Sequence, residues 1–254
     1  MNKPFLIVIA GPTAVGKTSI SIELAKEFNS EIISSDSRQF FKELNIGTAK
    51  PDSTELNQVK HHFVNNLSIQ DKYSVGIFET DVLGFLTTYF KTKNICFLVG
   101  GSGLYIDAVV NGFDDLPDVK EDIRKNLNED YEKFGIKYLQ EELQKCDPDY
   151  LKKIDSGNPQ RLIRAIEVFR SSGIPFSAFR LNEKKIRPFN IIKVGINIER
   201  SLLYERINQR VDEMISKGLL EEVKSLIEHE KINPLQTVGY KEIFEFLNGN
   251  ISFD

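Results

Sequence analysis

Apolar positions along the 254-residue chain fall into two kinds of segment. Short apolar runs occur at Phe5–Ala10, Glu31–Ser34, Asn94–Val99 and Ile191–Ile198, and each is bounded by turn-forming or polar residues. Their length and composition predict strands. Between them the apolar residues recur at helical spacing. Helices are predicted over Lys17–Phe28, over Val75–Lys91 with Ser74 as its cap, and over Leu104–Val110. From about Val119 to Ser172 the pattern is helical throughout and holds no strand. Asn158 there is a natural N-cap with Pro159 at the first helical position, and Gly173 closes the helix. Three more helices are predicted at Ser201–Lys217, closed by Gly218, then at Leu219–Glu230 and Tyr240–Leu247. Strands alternating with helices give an α/β class with a doubly wound parallel sheet. The strandless stretch is expected to be a helical insertion domain over 114–189, leaving 1–113 and 190–254 as one core. No internal repeat or low-complexity segment interrupts this order.

Composition narrows the class. With 41% hydrophobic and 28% charged residues, the chain is an ordinary globular one, long enough for a sizeable core. No apolar run approaches the roughly 20 residues of a membrane-spanning helix. The first apolar run is six residues long and leads into a glycine-rich turn, so it is not read as a signal peptide. Cys96 and Cys146 lack metal-ligand spacing and suit a reducing cytosol, so a cytoplasmic protein is expected. A net charge of −4 argues against a general nucleic-acid coat. One local basic stretch, Arg180, Lys184, Lys185, Arg187 and Lys193, is opposed only by Glu183. It suits a solvated loop or a contact to a phosphate backbone.

The most specific signal is Gly11-Pro12-Thr13-Ala14-Val15-Gly16-Lys17-Thr18, which spells G-x-x-x-x-G-K-T directly after the first strand. Glycines let backbone N–H groups close around phosphate oxygens, and the following helix points its positive end at them. Lys17 adds a mobile cation, and the Thr18 hydroxyl is a ligand for Mg²⁺. A P-loop NTPase-like sheet that binds a diphosphate or polyphosphate follows.

Other candidates are less specific alone. Asp36, in Ser34-Ser35-Asp36-Ser37-Arg38-Gln39, follows the second strand, at the carboxyl end where ligands of open sheets sit. A carboxylate there suits proton abstraction or water-mediated Mg²⁺ binding; the alternative is a turn cap. The next strand ends in Val99-Gly100-Gly101-Ser102-Gly103, without the Asp that a nucleotide-hydrolysing P-loop protein places at such a strand end. That omission favours reactions in which a diphosphate is held rather than hydrolysed. Arg206 and Arg210 share a helix face and suit either a diphosphate clamp or an ordinary surface helix. Gln160, Arg161 and Arg164 suit a surface helix or nucleic-acid contacts. His61 and His62 are expected to be hydrogen-bonding rather than metal-binding, since adjacent side chains diverge and no third ligand is evident.

Taken together, eight segments resemble the isopentenyl-tRNA transferase (tRNA dimethylallyltransferase) family, in its order and over nearly the whole chain. They are GPTAVGKT (11–18), SSDSRQFFKELNIGTAKP (34–51), HHF (61–63), YSVGIF (73–78), VGGSGLYIDAVVNG (99–112), GNPQRLIRAIEVFRSSGIP (157–175), RINQRVDEMISKGLLEEV (206–223) and TVGYKE (237–242). The resemblance implies transfer of a dimethylallyl group from its diphosphate to N6 of the adenosine at tRNA position 37, just 3′ of the anticodon. It implies that Lys17, Arg210 and Mg²⁺ on Thr18 neutralise the leaving diphosphate, and that Asp36 takes the proton from N6. Ser102 stands where the family usually has Thr, so a hydroxyl beside the reacting adenosine is kept. The resemblance further implies tRNA contacts from Asp36, Ser37, Arg38, Gln39, Ser102, Arg124, Gln160, Arg161, Leu162, Ile163 and Arg164. The insertion would embrace the anticodon stem-loop, with the target base flipped into a channel opposite the isoprenoid entrance. Dimethylallyl diphosphate, tRNA and Mg²⁺ are thus the expected partners, no membrane is expected, and a monomer is expected.

Family members usually continue past the TVGYKE helix through a basic, aromatic-containing segment of the T-R-x-Y-A-K-R-Q type. This sequence stops at Asp254, so a truncated or natural short form with weakened RNA binding is expected. The competing readings are a P-loop small-molecule kinase, which requires an arginine-bearing lid and tight ATP binding, and a non-catalytic RNA-binding relative. Retention of Lys17, Thr18, Asp36 and Arg210 argues against the latter. A related enzyme that alkylates free nucleotides is disfavoured by the full helical insertion.

Overall fold

A computed structural model describes residues 3–114, 116–180 and 184–252. The chain divides into two compact units, Met1–Asn111 with Ile186–Asp254, and Gly112–Lys185. The division falls within a few residues of the expected 114–189 boundary.

The first unit begins β1 (Phe5–Ala10), α1 (Lys17–Glu27), β2 (Ile32–Ser34), α2 (Ser53–Gln58), β3 (His61–His62), α3 (Val75–Tyr89), β4 (Ile95–Gly100) and α4 (Gly103–Asn111). The inserted unit holds α5 (Glu121–Phe134), α6 (Ile136–Cys146), α7 (Pro148–Leu151), α8 (Pro159–Ser172) and α9 (Phe176–Phe179). The chain then returns through β5 (Asn190–Gly195), α10 (Arg200–Ser216), α11 (Leu219–Ser225) and α12 (Tyr240–Leu247).

Five strands form one parallel sheet in the order β3-β2-β4-β1-β5. Four strands were expected. The fifth, β3, is two residues long and has no apolar run, so only its pairing with β2 (Ile32 opposite His61) makes it a strand. The last strand ends at Gly195 instead of Ile198 because its partner β1 ends at Ala10, opposite Gly195. The helix expected over Leu219–Glu230 stops at Ser225 and gives way to a 3₁₀ turn at Ile227–His229. Leu6, Val8, Ile33 and Leu98 face a core shared with Phe78, Val82 and Leu86 of α3 and with Val109, Val223 and Tyr240. Ile9, Ile32 and Phe97, from the same strands, pack with Ile22 and Ala25 of α1. Opposed side chains from alternate strand positions therefore bury two layers, as a doubly wound sheet requires.

The inserted unit has its own core. Leu127, Leu139, Leu143, Leu162, Ile163, Ala165 and Ile166 are fully buried there among α5, α6 and α8. The helix expected after Asn158 forms as read: Asn158 Oδ1 accepts from the Arg161 N–H, and Gly173 closes it in the left-handed conformation at φ 73°. Among the described residues, no helix is long and apolar enough to cross a membrane.

Candidate active site

The glycine-rich turn joins β1, second from one sheet edge, to α1. Gly16 sits at φ +98°, where a side chain would be strained, and it caps α1 without a side-chain hydrogen bond. The first turn of α1 carries no acid, so its N–H groups and dipole stay available to an anion. Lys17 Nζ donates to the carbonyls of Gly11 (2.9 Å) and Pro12 (2.7 Å), which folds it back over the turn. Burial pushes its ammonium down, the Asp36 carboxylate opposes that shift, and the Arg210 guanidinium adds to it. Two cations and one carboxylate are therefore in electrostatic contact at the mouth of the turn. Arg210 reaches this point by donating to Thr13 Oγ1 at 2.9 Å.

Asp36 follows β2, which does not touch β1; β4 lies between them. The end of β4 makes the reach possible. A Cβ on Gly100 would lie 2.3 Å from Ser35 Oγ, 2.8 Å from the Ser35 carbonyl carbon and 3.0 Å from the Asp36 nitrogen. The absence of a side chain at Gly100 lets the chain after β2 come down onto β4. Asp36, Lys17, Thr18 and Arg210 consequently line one cavity of about 700 Å³. The Asp36 carboxylate is oriented by a turn of its own, Oδ1 accepting from the Arg38 N–H at 3.0 Å. The turn-capping and chemical readings of Asp36 are thus compatible.

Other acids on the cavity wall are committed elsewhere. Asp52 and Glu55 cap α2 reciprocally, and Glu213 accepts from Gln209. Gln39 also lines the cavity. Its Nε2 donates to the Thr48 and Ala49 carbonyls (3.2 and 3.3 Å), and its Oε1 accepts from Ser34 Oγ at 3.1 Å. Ser102 precedes α4 and its Oγ accepts from the Ser37 N–H at 3.1 Å, tying the ends of β4 and β2 together. Arg38 is half-buried beside Tyr105 and Asp36. Arg206 lines the cavity with Arg210, as do Glu213 further along α10 and Lys217, which caps its C-terminal end. Lys50 is a cavity residue that the sequence reading missed; burial pushes its ammonium down to about 8. The only signal for it was its place in the IGTAKP segment.

Candidates in the inserted unit divide by exposure. Gln160, Arg161 and Arg124 are exposed, and Arg164 is partly so. Leu162 and Ile163, expected among the tRNA contacts, are fully buried, so their side chains pack in the inserted unit's core with residues of α5 and α6 and not on its surface. Arg164 Nη1 (2.7 Å) and Arg124 Nε (3.4 Å) flank the carboxylate of Glu167, which is fully buried.

The basic stretch is not one patch. Arg187 is buried and donates to Glu79 Oε1 (2.6 Å) and to the Ala108 and Val109 carbonyls, which removes it from any RNA surface. Arg180 pairs with Asp114 at 3.0 Å. Glu183 lies outside the described residues. Both histidines are hydrogen-bonded: His62 Nε2 meets Glu31 Oε2 at 2.5 Å, with its ring tilted against Phe85, while His61 Nδ1 contacts the Val59 carbonyl. Among the described residues, no group of three metal-capable side chains gathers.

The chain as a whole has known relatives. The chain is 48% identical to the tRNA dimethylallyltransferase of Flavobacterium psychrophilum over 98% of its own length and 83% of that protein. It is 50% identical to the tRNA dimethylallyltransferase of Christiangramia forsetii, with the same coverage. Among solved structures it resembles the full-length tRNA isopentenylpyrophosphate transferase of Bacillus halodurans (TM-score 0.68, 36% identity, 99% of this chain and 80% of that one). It also resembles a eukaryotic dimethylallyltransferase acting on tRNA (TM-score 0.79, 30% identity, 97% and 64%). The IPP transferase family matches over residues 39–254, and the P-loop precedes that span. With this match and these relatives, the chain belongs to the IPP transferase family.

Proposed function

We propose that this protein is a prenyltransferase that moves a dimethylallyl group from its diphosphate to N6 of the tRNA adenosine just 3′ of the anticodon. The observation that carries the reading is the convergence of the P-loop and one oriented carboxylate, Asp36, on a single cavity. The P-loop amides and the start of α1 hold the diphosphate, and Lys17 and Arg210 neutralise the charge that grows as the C–O bond breaks. Asp36 Oδ1 is held by the Arg38 N–H, which leaves Oδ2 to accept the N6 proton as the C–N bond forms. Nitrogen attack, loss of diphosphate and proton transfer then balance without any further reactant. Gly100 and Gly101 replace the strand-end carboxylate that hydrolytic P-loop proteins use, which disfavours nucleotide turnover.

A Mg²⁺ fits this donor set. One hydroxyl (Thr18) and one carboxylate (Asp36) on a common cavity suit an ion that keeps several waters and binds mainly through substrate phosphates. Thr18 would hold it, and it would supply further positive charge to the leaving group.

The exposed Gln160, Arg161 and Arg124 and the Glu167-anchored Arg164 are assigned to the anticodon stem-loop. The protein is assigned to the cytoplasm, where its tRNA substrate resides, and is taken to act as a monomer. The test is incubation with labelled dimethylallyl diphosphate and unmodified tRNA, with ATP and free AMP as controls. Label in tRNA alone supports the reading. Label in AMP alone, or phosphoryl transfer from ATP, overturns it.

A further inference from the structure

One wall of the cavity is a loop with little structure of its own. Gln39, Asn45, Ile46, Thr48, Ala49 and Lys50 all line the cavity. The 3₁₀ turn Ile46–Thr48 has no side-chain cap from its own N-cap residue, Asn45. Its N–H groups point instead at Glu222 of α11. Glu222 Oε2 accepts from the Asn45 and Ile46 N–H groups (3.1 and 2.9 Å), and Oε1 accepts from those of Ile46 and Gly47 (3.1 and 3.2 Å). The Tyr240 hydroxyl of α12 donates to the same Oε1 at 2.5 Å. A carboxylate is here doing what a bound anion does in a nest of backbone amides. Tyr240 is fully buried, and a Cβ on Gly47 would lie 2.4 Å from its ring. The turn is therefore pressed onto Tyr240 and bonded to Glu222 at once.

The opposite side of the turn carries the connection to the chemistry. The Thr48 and Ala49 carbonyls accept from Gln39 Nε2, and the Gln39 N–H donates to the Asp36 carbonyl at 3.2 Å. Ser34 Oγ donates to Gln39 Oε1 and accepts from the Asp36 N–H at 3.3 Å. Lys50 adds a second tie across the base of the loop, donating to the Phe41 carbonyl, to Asn45 Oδ1 (3.2 Å) and to Asn65 Oδ1 (2.5 Å). An unbroken series of hydrogen bonds thus runs from Tyr240 through Glu222, the 46–48 turn and Gln39 to the backbone of Asp36.

We propose that Glu222, held by Tyr240, is a positioning residue for prenyl transfer: its carboxylate sets the 46–48 turn, and through Gln39 the turn that aims Asp36. Charge matters as much as shape, because four amide contacts and one phenol converge on two oxygens. Glu222→Gln keeps the shape, removes the charge and turns one oxygen into a donor facing donors. The proposal rests on the prenyltransferase reading for its catalytic consequence, whereas the structural link can be read without any substrate.

The experiment compares Glu222→Gln with the wild-type chain and with Val82→Ala, a buried α3 substitution that makes no part of the cavity wall. Amide hydrogen exchange is followed at Asn45–Gly47 and at Gln39. Single-turnover transfer is measured with saturating tRNA, and pyrophosphate affinity is measured by thermal titration. The expected result is exchange faster by roughly 10- to 100-fold at those amides in Glu222→Gln. Transfer falls by about tenfold or more, and pyrophosphate affinity stays within about twofold, since the P-loop bonds none of these groups. Val82→Ala should lower thermal stability and leave the transfer rate and these amides alone. Should Glu222→Gln fail to fold, Tyr240→Phe and Gly47→Ala disturb the same turn from its other partner. Unchanged exchange at Gln39, a transfer rate equal to that of Val82→Ala, or a matching loss of pyrophosphate affinity would each overturn the proposal. If the wild-type chain transfers nothing to tRNA, the functional reading fails, and exchange at Gln39 still decides the positioning link.

Discussion

Gly100→Ala isolates the contact that brings Asp36 to the P-loop. The added methyl would lie 2.8 Å from the Ser35 carbonyl carbon and 3.0 Å from the Asp36 nitrogen, both backbone atoms without a rotamer to escape into. Ordinary contact starts near 3.4 Å, so the chain after β2 must retreat by 0.4–0.6 Å (3.4 minus 3.0 and minus 2.8). A 1 Å displacement of a catalytic group costs on the order of 10²-fold, so about half that distance predicts roughly a tenfold loss of transfer rate. Overpacking of this kind costs about 1–3 kcal/mol, which lowers Tm by about 2–4 °C per kcal/mol in a chain of this size. Gly101→Ala is the matched control, because the nearest atom to its Cβ is the Gly11 carbonyl oxygen at 3.8 Å, an ordinary contact. The assay is single-turnover transfer of labelled dimethylallyl to saturating tRNA, with thermal melts and pyrophosphate titrations on the same samples. Gly100→Ala should lose rate while keeping pyrophosphate affinity, and Gly101→Ala should stay near wild type in both. Wild-type rate in Gly100→Ala, or equal loss in the two variants, would refute the idea that close approach at this glycine places Asp36.

Further consequences follow from the same geometry. Asp36→Asn keeps the turn bond from the Arg38 N–H but cannot take a proton, so turnover should fall roughly 10²–10⁴-fold with diphosphate affinity retained, measured by single-turnover kinetics and thermal titration. In α8, Arg161→Ala should lower the magnitude of the log–log salt slope of tRNA binding by roughly 0.7–0.9, whereas Leu162→Ala should leave the slope and cost about 2–5 kcal/mol of stability. Thermal titration with Mg²⁺ should show stabilisation by dimethylallyl diphosphate at lower concentration than by ATP; the reverse order would favour a kinase. Lys50 has its folded pKa depressed to about 8 from 10.5, so between those values the unfolded chain binds the extra proton and stability should rise with pH. Urea melts of wild type and Lys50→Met from pH 7 to 10 should therefore diverge, the wild type gaining relative to the variant; a constant difference would exclude that titration.

Local signals sufficed wherever the physics is local. The β1 run, the G-x-x-x-x-G-K-T turn and the α1 period sit within a few residues of one another, and the strand–turn–helix they form follows the local sequence. The caps of α8, Asn158 with Pro159 and Gly173, likewise act within a turn. Resemblance of whole segments then pointed to the chemistry that a P-loop alone leaves open. Tertiary structure decided what depends on neighbours far along the chain. His61–His62 is a strand only because β2 pairs with it, and β5 ends where β1 runs out. Leu162 and Ile163 belong to a core because α5 and α6 cover them, although the motif placed them with the exposed Gln160 and Arg161. Arg187 looked like part of a basic stretch and instead neutralises the buried Glu79. The reach of Asp36 to the P-loop across β4 depends on a glycine 64 positions further on. The setting of its turn depends on Glu222 and Tyr240 near the other end of the chain. Periodicity and motifs report short-range preferences, whereas close approach and hydrogen-bond completion are properties of pairs that only the folded chain brings together.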